Sequence, residues 1–208
     1  MPLPQSVTTW PQKLAPIPSR EIASDEKQSA VLVLPYGDPA DPTIVFVEKT
    51  DTLRFHAGQI AFPGGQIEAD DTSIAQAALR EAWEEAGIKA DSVEILGMLP
   101  VGSIPRSGFL VYSVVGWWLE PGKLGPTDPG EIAAVHTLKF SELADPANRV
   151  TWQHPQGFTG PGFAVGELFI WGFTAGVVDE LLRLLGFEQP WDATKVTSIP
   201  KRFFREQK

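Results

Sequence analysis

Short runs of apolar, β-branched residues predict the strands of this chain. Val, Ile and Leu dominate residues 29–34 and 43–47, and a stretch rich in Gly, Asp and Pro separates the two runs. Further strands are predicted at 60–62, 93–99, 109–119 and 132–140. Residues 153–162 are rich in Gly and Pro, and we expect an irregular loop there.

A four-residue repeat predicts a helix after the third strand. Apolar residues recur every four positions from Ile74 to Ala86. Ser73, with Gln76 three residues later, fits a capping box, and Gly87 lies where a left-handed C-cap is expected. A second helix with a wide apolar face is predicted at 166–185. This order of strands and helices predicts a single domain of the α/β or α+β class, at residues 29–186.

The two ends of the chain differ from this domain in composition. Five prolines lie within the first 18 residues, and they predict an extended N-terminal arm over residues 1–28 that does not pack. Two interpretations of the arm stay open, a loose terminus and a clasp on a second copy of the chain, so a homodimer is among the expected states. Residues 187–208 form a predicted C-terminal tail with a basic segment at 201–205.

Charge and composition exclude several classes of function. The 208 residues carry a formal net charge of −9, which disfavours nucleic acid as a partner. The absence of cysteine excludes disulfides, thiolate nucleophiles and Cys-type zinc sites. Because the longest apolar run is well below about 20 residues, and because no basic segment followed by an apolar one opens the chain, we expect a cytoplasmic protein with no membrane partner.

The predicted helix carries three glutamates at helical spacing. Residues three and four apart share one helix face, so Glu81, Glu84 and Glu85 should lie on one stripe and repel one another. A divalent cation would offset that repulsion, and oxygen donors without His or Cys favour Mg²⁺ first and Mn²⁺ second. The alternative is a solvated acidic face on which Arg80 reaches Glu84 at i+4.

Two motifs together resemble a known family. Residues 53–65 read Leu-Arg-Phe-His-Ala-Gly-Gln-Ile-Ala-Phe-Pro-Gly-Gly, and residues 80–88 read Arg-Glu-Ala-Trp-Glu-Glu-Ala-Gly-Ile. This combination resembles the Nudix hydrolases, and more narrowly their coenzyme A pyrophosphatase branch. The likeness extends over about residues 29–186. Asp71 stands where the general Nudix motif has Glu, and Lys49 stands where the branch often has Arg.

The resemblance implies a fold and a set of site residues. The fold would be a Nudix-type α/β/α sandwich with a mixed β-sheet between helices. Arg80 would orient the glutamates, and Glu131, in the loop before the last predicted strand, would activate water or bind metal; its alternative is an exposed turn acid. The remaining assignments are these: metal ligands Glu81, Glu84, Glu85 and the Gly65 carbonyl; catalytic residues Glu84, Glu85 and Glu131; and substrate contacts Arg54, His56, Gly64 and Gly65.

The implied activity is hydrolysis of a phosphoanhydride with Mg²⁺ or Mn²⁺. The small-molecule substrate would be coenzyme A or an acyl-coenzyme A, cleaved to 3′,5′-ADP and (acyl-)phosphopantetheine. One alternative is a Nudix hydrolase of another nucleoside diphosphate derivative, such as ADP-ribose or NADH. An alternative from another class is a nucleotide sensor that binds without hydrolysis. His56 has two interpretations, a phosphate contact and a packed structural residue, and an adenine stack on Trp117 or Trp118 is weighed against core packing.

Overall fold

The computed structural model describes residues 2–19, 27–53, 56–104 and 108–204. Of the predicted substrate contacts, Arg54 lies outside these ranges. The strands are β1 Gln28–Val33, β2 Pro35–Tyr36, β3 Thr43–Lys49, β4 Ile60–Ala61, β5 Gly64–Gln66, β6 Val93–Met98, β7 Gly102–Ile104, β8 Phe109–Trp118, β9 Ile132–Lys139, β10 Arg149–Gln153, β11 Thr159–Val165, β12 Leu168–Ile170 and β13 Val196–Ser198. The α-helices are α1 Ile74–Ala86, α2 Phe140–Ala144 and α3 Gly172–Leu185.

The strands form three sheets. One sheet has the order β5-β1-β8-β6, with β7 also paired to β8, and it is mixed because β1 runs parallel to β8 and antiparallel to β5. In the second sheet β3 pairs with β2, β4 and β9. The third has the order β12-β11-β10-β13. All six predicted strands are found within one or two residues of their expected bounds.

Alternate residues of the same strands face two separate apolar clusters. In β3, Ile44 and Phe46 pack in the cluster that includes the apolar face of α3, whereas Val45 and Val47 pack against α1. Because side chains alternate across a strand, the strands are covered by a helix on each side. The prediction of an α/β/α sandwich with a mixed sheet is confirmed. Trp117 and Trp118 also divide between the two clusters, and both are buried.

Helix α1 begins and ends where its sequence predicts. The Ser73 hydroxyl accepts the Gln76 N–H at 3.1 Å, and Gly87 adopts the left-handed conformation at φ 72°. The predicted capping box is shifted by one residue, because the Gln76 side chain accepts from the Thr72 N–H. Small alanines on the buried face let the helix lie close to the sheet, which fixes the position of its acidic side chains.

Three predictions about the ends and loops are wrong. The arm is not an unpacked extended segment, because Val7–Lys13 form a 3-10 helix whose Val7 and Trp10 are buried. The loop predicted at residues 153–162 is limited to 154–158, because β10 ends at Gln153, β11 begins at Thr159, and the two strands pair as a hairpin. The last helix begins at Gly172, since residues 168–170 form β12. In the predicted tail, β13 pairs with β10. Within the described ranges, no helix is long and apolar enough to cross a bilayer.

Candidate active site

Glu85 is the buried centre of the acidic face of α1. Its side chain is 4% exposed; Oε1 accepts from Lys49 Nζ at 2.5 Å and Oε2 accepts the Gly64 N–H at 3.0 Å. Burial raises the pKa of Glu85 to about 7, although Lys49 and the Gly64 amide act in the opposite direction. A metal ion bound to this carboxylate would favour its charged form.

Lys49 links Glu85 to the loop before β9. Its Nζ also donates to Glu131 Oε1 at 2.6 Å, so one ammonium group bridges two carboxylates. Burial opposes the charged form of Lys49, but the two carboxylates outweigh burial and raise its pKa. The β3–β9 ladder has a register shift at Glu48/Lys49. Such bulges re-aim side chains next to active sites. Glu131 is therefore engaged by Lys49 and is not only an exposed turn acid.

Arg80 joins the other two glutamates to a buried aspartate. Its Nε and Nη2 donate to the two carboxylate oxygens of Asp71 at 3.0 and 3.1 Å, and Nη1 donates to Glu81 and Glu84, both at 2.9 Å. Nη2 also donates to the Gln66 carbonyl. The Asp71 hydrogen bonds contribute most to raising the pKa of Arg80. This geometry agrees with an orienting role for Arg80, which stays a prediction.

The two glycines after Pro63 each allow a close approach. A Cβ on Gly64 would lie 2.5 Å from the Ala30 carbonyl oxygen, and a Cβ on Gly65 would lie 2.6 Å from Glu81 Cδ. Glycine at position 65 therefore leaves room for the Glu81 carboxylate against the backbone, one residue from the amide that holds Glu85. Burial raises the pKa of Glu81 as well.

Of the predicted substrate contacts that the structure describes, His56 lies on the loop between β3 and β4, and Gly64 and Gly65 lie on β5. His56 is exposed, has φ 60°, and shares a hydrogen bond of 3.0 Å between its Nδ1 and Gln59 Oε1, so it is not a packed core residue. Backbone hydrogen bonds join both Gly58 and Gln59 to Lys49, at 3.1 and 3.0 Å, which places this loop beside the site. The burial of Trp117 and Trp118 rules out either ring as a free platform for adenine.

The oxygen donors of the site suit a hard divalent cation, but in this structure the glutamate carboxylates are paired with Lys49 and Arg80. The donors are carboxylate and carbonyl oxygens, the set that Mg²⁺ and Mn²⁺ prefer. In the part of the chain that the structure describes, no three Asp, Glu, His or Cys side chains are arranged to hold a metal ion. Lys49 and Arg80 offset the glutamate repulsion instead, so this repulsion does not by itself require a metal. Neither this role of Lys49 nor the buried anchor Asp71 is predicted by the spacing of residues in the sequence.

Comparison with known proteins decides the family. The family model described as NUDIX domain matches residues 26–159. The chain belongs to the Nudix family. A Nudix protein from Citrobacter koseri, named "Uncharacterized Nudix hydrolase NudL", is 37% identical over 170 residues, covering 78% of this chain and 84% of its own length. One from Klebsiella pneumoniae strain 342 with the same name is 37% identical over 183 residues, covering 84% of this chain and 91% of its own length.

Solved structures agree with the Nudix fold. The Nudix hydrolase RenU from M. smegmatis has a TM-score of 0.54 at 14% identity, covering 80% of this chain and 90% of its own. A Nudix hydrolase from Nitrosomonas europaea has a TM-score of 0.51 at 15% identity, covering 85% and 81%. The predicted family and the prediction of a Nudix pyrophosphohydrolase are thus confirmed. Nudix hydrolases in general use divalent metal ions.

Proposed function

We propose that this Nudix hydrolase cleaves the diphosphate of coenzyme A or an acyl-coenzyme A, with Mg²⁺ or Mn²⁺, into 3′,5′-ADP and (acyl-)phosphopantetheine. One observation carries the proposal: the loop with the coenzyme A-type motif is hydrogen-bonded to Lys49, the residue that bridges Glu85 and Glu131. The motif associated with the substrate and the carboxylates suited to the chemistry therefore meet at one residue.

Each site residue has a distinct part in the proposed reaction. Glu81, Glu85 and the Gly65 carbonyl would hold the cation, and Glu84 would be a further ligand. A divalent cation bound there would supply charge neutralisation for the diphosphate and would lower the pKa of water. Arg80 fixes the rotamers of Glu81 and Glu84 through its hydrogen bonds to them.

Glu131 is the proposed acceptor of the water proton. Its side chain is 47% exposed, whereas that of Glu85 is 4% exposed, so Glu131 is the one of this pair that meets solvent. A carboxylate placed on a loop near the reacting water is a suitable general base once it is free to approach. His56 and Arg54 remain proposed contacts to the anionic substrate, and the Gly64–Gly65 backbone remains a proposed approach point for the diphosphate.

Product analysis tests the proposal. Purified protein is incubated with Mg²⁺ and, in separate reactions, coenzyme A, ADP-ribose and NADH, and the products are identified by mass. We expect 3′,5′-ADP and phosphopantetheine from coenzyme A, at a higher kcat/KM than for the other two substrates. Turnover of ADP-ribose or NADH without turnover of coenzyme A would assign a different nucleoside diphosphate substrate. Binding without any turnover would favour the sensor alternative.

A matched pair of glutamate variants tests the site. Glu85→Gln keeps the shape of the side chain and removes the charge, and we expect kcat/KM to fall by about 10²- to 10³-fold while the fold persists. Glu180→Gln, at a half-buried position of α3 where the carboxylate pairs with Arg183, is the control and should retain wild-type turnover. Unchanged turnover by Glu85→Gln would remove the helix from the mechanism.

A further inference from the structure

Lys49 occupies the position between two proposed site carboxylates. Its Nζ lies 2.5 Å from Glu85 Oε1 and 2.6 Å from Glu131 Oε1, and its side chain is 12% exposed. The two partners are 36 and 82 residues away in sequence and belong to a helix and a loop. The proposed hydrolysis does not by itself use this amine.

We propose that Lys49 is a built-in counter-ion that joins Glu85 to Glu131 when no divalent cation is bound and gives way when one binds. This inference rests on the proposed function, because it takes Glu85 as a metal ligand. It makes Lys49 a positioning residue, and it predicts that the amine competes with the metal.

The Lys49 ammonium and a divalent cation compete because they repel each other and would occupy the same position at Glu85 Oε1. A divalent cation and an ammonium group repel each other strongly at a few ångströms in a partly buried site. Oε1 of Glu85 already accepts from the ammonium and Oε2 accepts from the Gly64 N–H. A cation that approaches Oε1 must therefore displace Nζ, whereas the backbone hydrogen bond to Oε2 stays in place.

The side chain can move while its backbone stays fixed. Pairing of β3 with β9 holds the Lys49 main chain, as do backbone hydrogen bonds to Gly58 and Gln59. Lysine has a flexible four-carbon stem and a compact, strongly hydrated charge, so rotation of the side chain can carry the ammonium to water, whose hydration offsets the lost ion pairs. Arginine would hold both carboxylates with a planar fork and would release them less readily.

Displacement of the amine also frees Glu131. The loop backbone remains attached, because the Thr50 N–H donates to the Glu131 carbonyl at 2.8 Å and the Thr50 hydroxyl donates to the Gly130 carbonyl at 3.1 Å. Within this loop, the Glu131 carboxylate is the group that loses its contact with Lys49. Cation binding at Glu85 thus makes available the carboxylate that we propose as general base.

Mn²⁺ titration of the whole protein tests the inference without reference to activity. Free Mn²⁺ is measured by electron paramagnetic resonance for the wild type, for Lys49→Met and Lys49→Gln, and for the control Lys139→Met, which removes an exposed lysine 3.6 Å from Asp41. We expect Mn²⁺ to bind about tenfold more tightly to both neutral Lys49 variants, because one positive charge has left the site. Lys139→Met should bind as the wild type does.

The outcomes separate the inference from the proposed function. If Lys49 only maintains the shape of the site, its neutral variants will bind Mn²⁺ more weakly, and equal or weaker binding overturns the inference. Lys49→Gln keeps the measurement decisive if the methionine variant does not fold, because an amide still donates to a carboxylate. Lys49→Arg keeps the positive charge, so it should bind Mn²⁺ as weakly as the wild type does or more weakly. Absence of Mn²⁺ binding by every variant would instead contradict the proposed metal-dependent function.

Discussion

Alanine substitutions at the two adjacent glycines should affect different properties, lowering activity at Gly65 and stability at Gly64. Neither glycine has a positive φ, so the added methyl group acts through its contacts alone. At Gly65 the Cβ would lie 2.6 Å from Glu81 Cδ and Oε1 and 2.7 Å from Oε2. Ordinary contact requires the carboxylate to move by about 1 Å, and a displacement of this size costs about 10²-fold in rate. Because the end of a flexible side chain can move, the free energy of unfolding should change by less than about 1 kcal/mol.

At Gly64 the obstacle is the backbone of a central strand. The Cβ would lie 2.5 Å from the Ala30 carbonyl oxygen and 2.6 Å from Val31 Cα. Strand β1 is paired on both sides and cannot shift locally, so Gly64→Ala should lower the free energy of unfolding by about 1–3 kcal/mol.

Urea denaturation and kcat/KM for coenzyme A distinguish the two effects. Gly125→Ala is the control, since its Cβ would meet nothing within 4 Å and its φ is not positive. Wild-type kcat/KM in Gly65→Ala would show that the Glu81 carboxylate need not keep its position, and a Gly64→Ala variant as stable as the control would show that β1 can make room for the methyl group.

Three further predictions concern buried charges. Asp179→Ala should lower the free energy of unfolding by about 3 kcal/mol, measured in urea, because Arg149 is fully buried and loses its carboxylate partner. Asp71→Ala should lower the free energy of unfolding by about 2–3 kcal/mol. It should also reduce kcat/KM, because Arg80 loses the carboxylate that orients it. Because burial raises the pKa of Glu85 from 4.5 to about 7, the folded state favours its protonated form. As pH rises from 4.5 to about 7, the free energy of unfolding of the metal-free wild type should therefore fall by about 3 kcal/mol relative to that of Glu85→Gln.

Each of these predictions has a contradicting result. Unchanged stability of Asp179→Ala would mean that Arg149 does not depend on this ion pair. Loss of stability in Asp71→Ala without loss of kcat/KM would show that Arg80 does not orient the glutamates. A constant difference in urea stability between wild type and Glu85→Gln from pH 4.5 to pH 7 would show that the Glu85 pKa is not raised.

Local signals in the sequence are sufficient to predict α1 and the alternating strands. The Ser73 cap, the Gly87 C-cap and the apolar repeat all act within a few residues, so their geometry does not depend on distant contacts. The hairpin of β10 and β11 was missed because its glycines are typical of loops. In the structure Trp152 lies across from Gly160, whose Cβ would come within 2.7 Å of the indole, so the glycine makes room for an aromatic ring.

The arm and the lysine bridge depend on contacts that sequence spacing does not show. Trp10 packs edge-to-face on Trp117 with ring centroids 5.5 Å apart, and this contact outweighs the extended tendency of the nearby prolines. The partners of Lys49 are 36 and 82 residues away in sequence, so spacing along the chain does not show that Lys49 lies opposite the acidic helix. The helix glutamates could be placed on one face by spacing, but their separation into buried Glu85 and exposed Glu84 required the packed structure.

A crystal structure of the protein grown with Mn²⁺ and measured at the manganese absorption edge would show directly whether the acidic face of α1 holds the metal. We expect an anomalous peak at about 2.1–2.4 Å from carboxylate oxygens of both Glu81 and Glu85, with Lys49 Nζ moved away from Glu85 Oε1. A fully occupied manganese ion elsewhere, with Lys49 still joined to Glu85, would exclude both the proposed metal site and the displacement of Lys49.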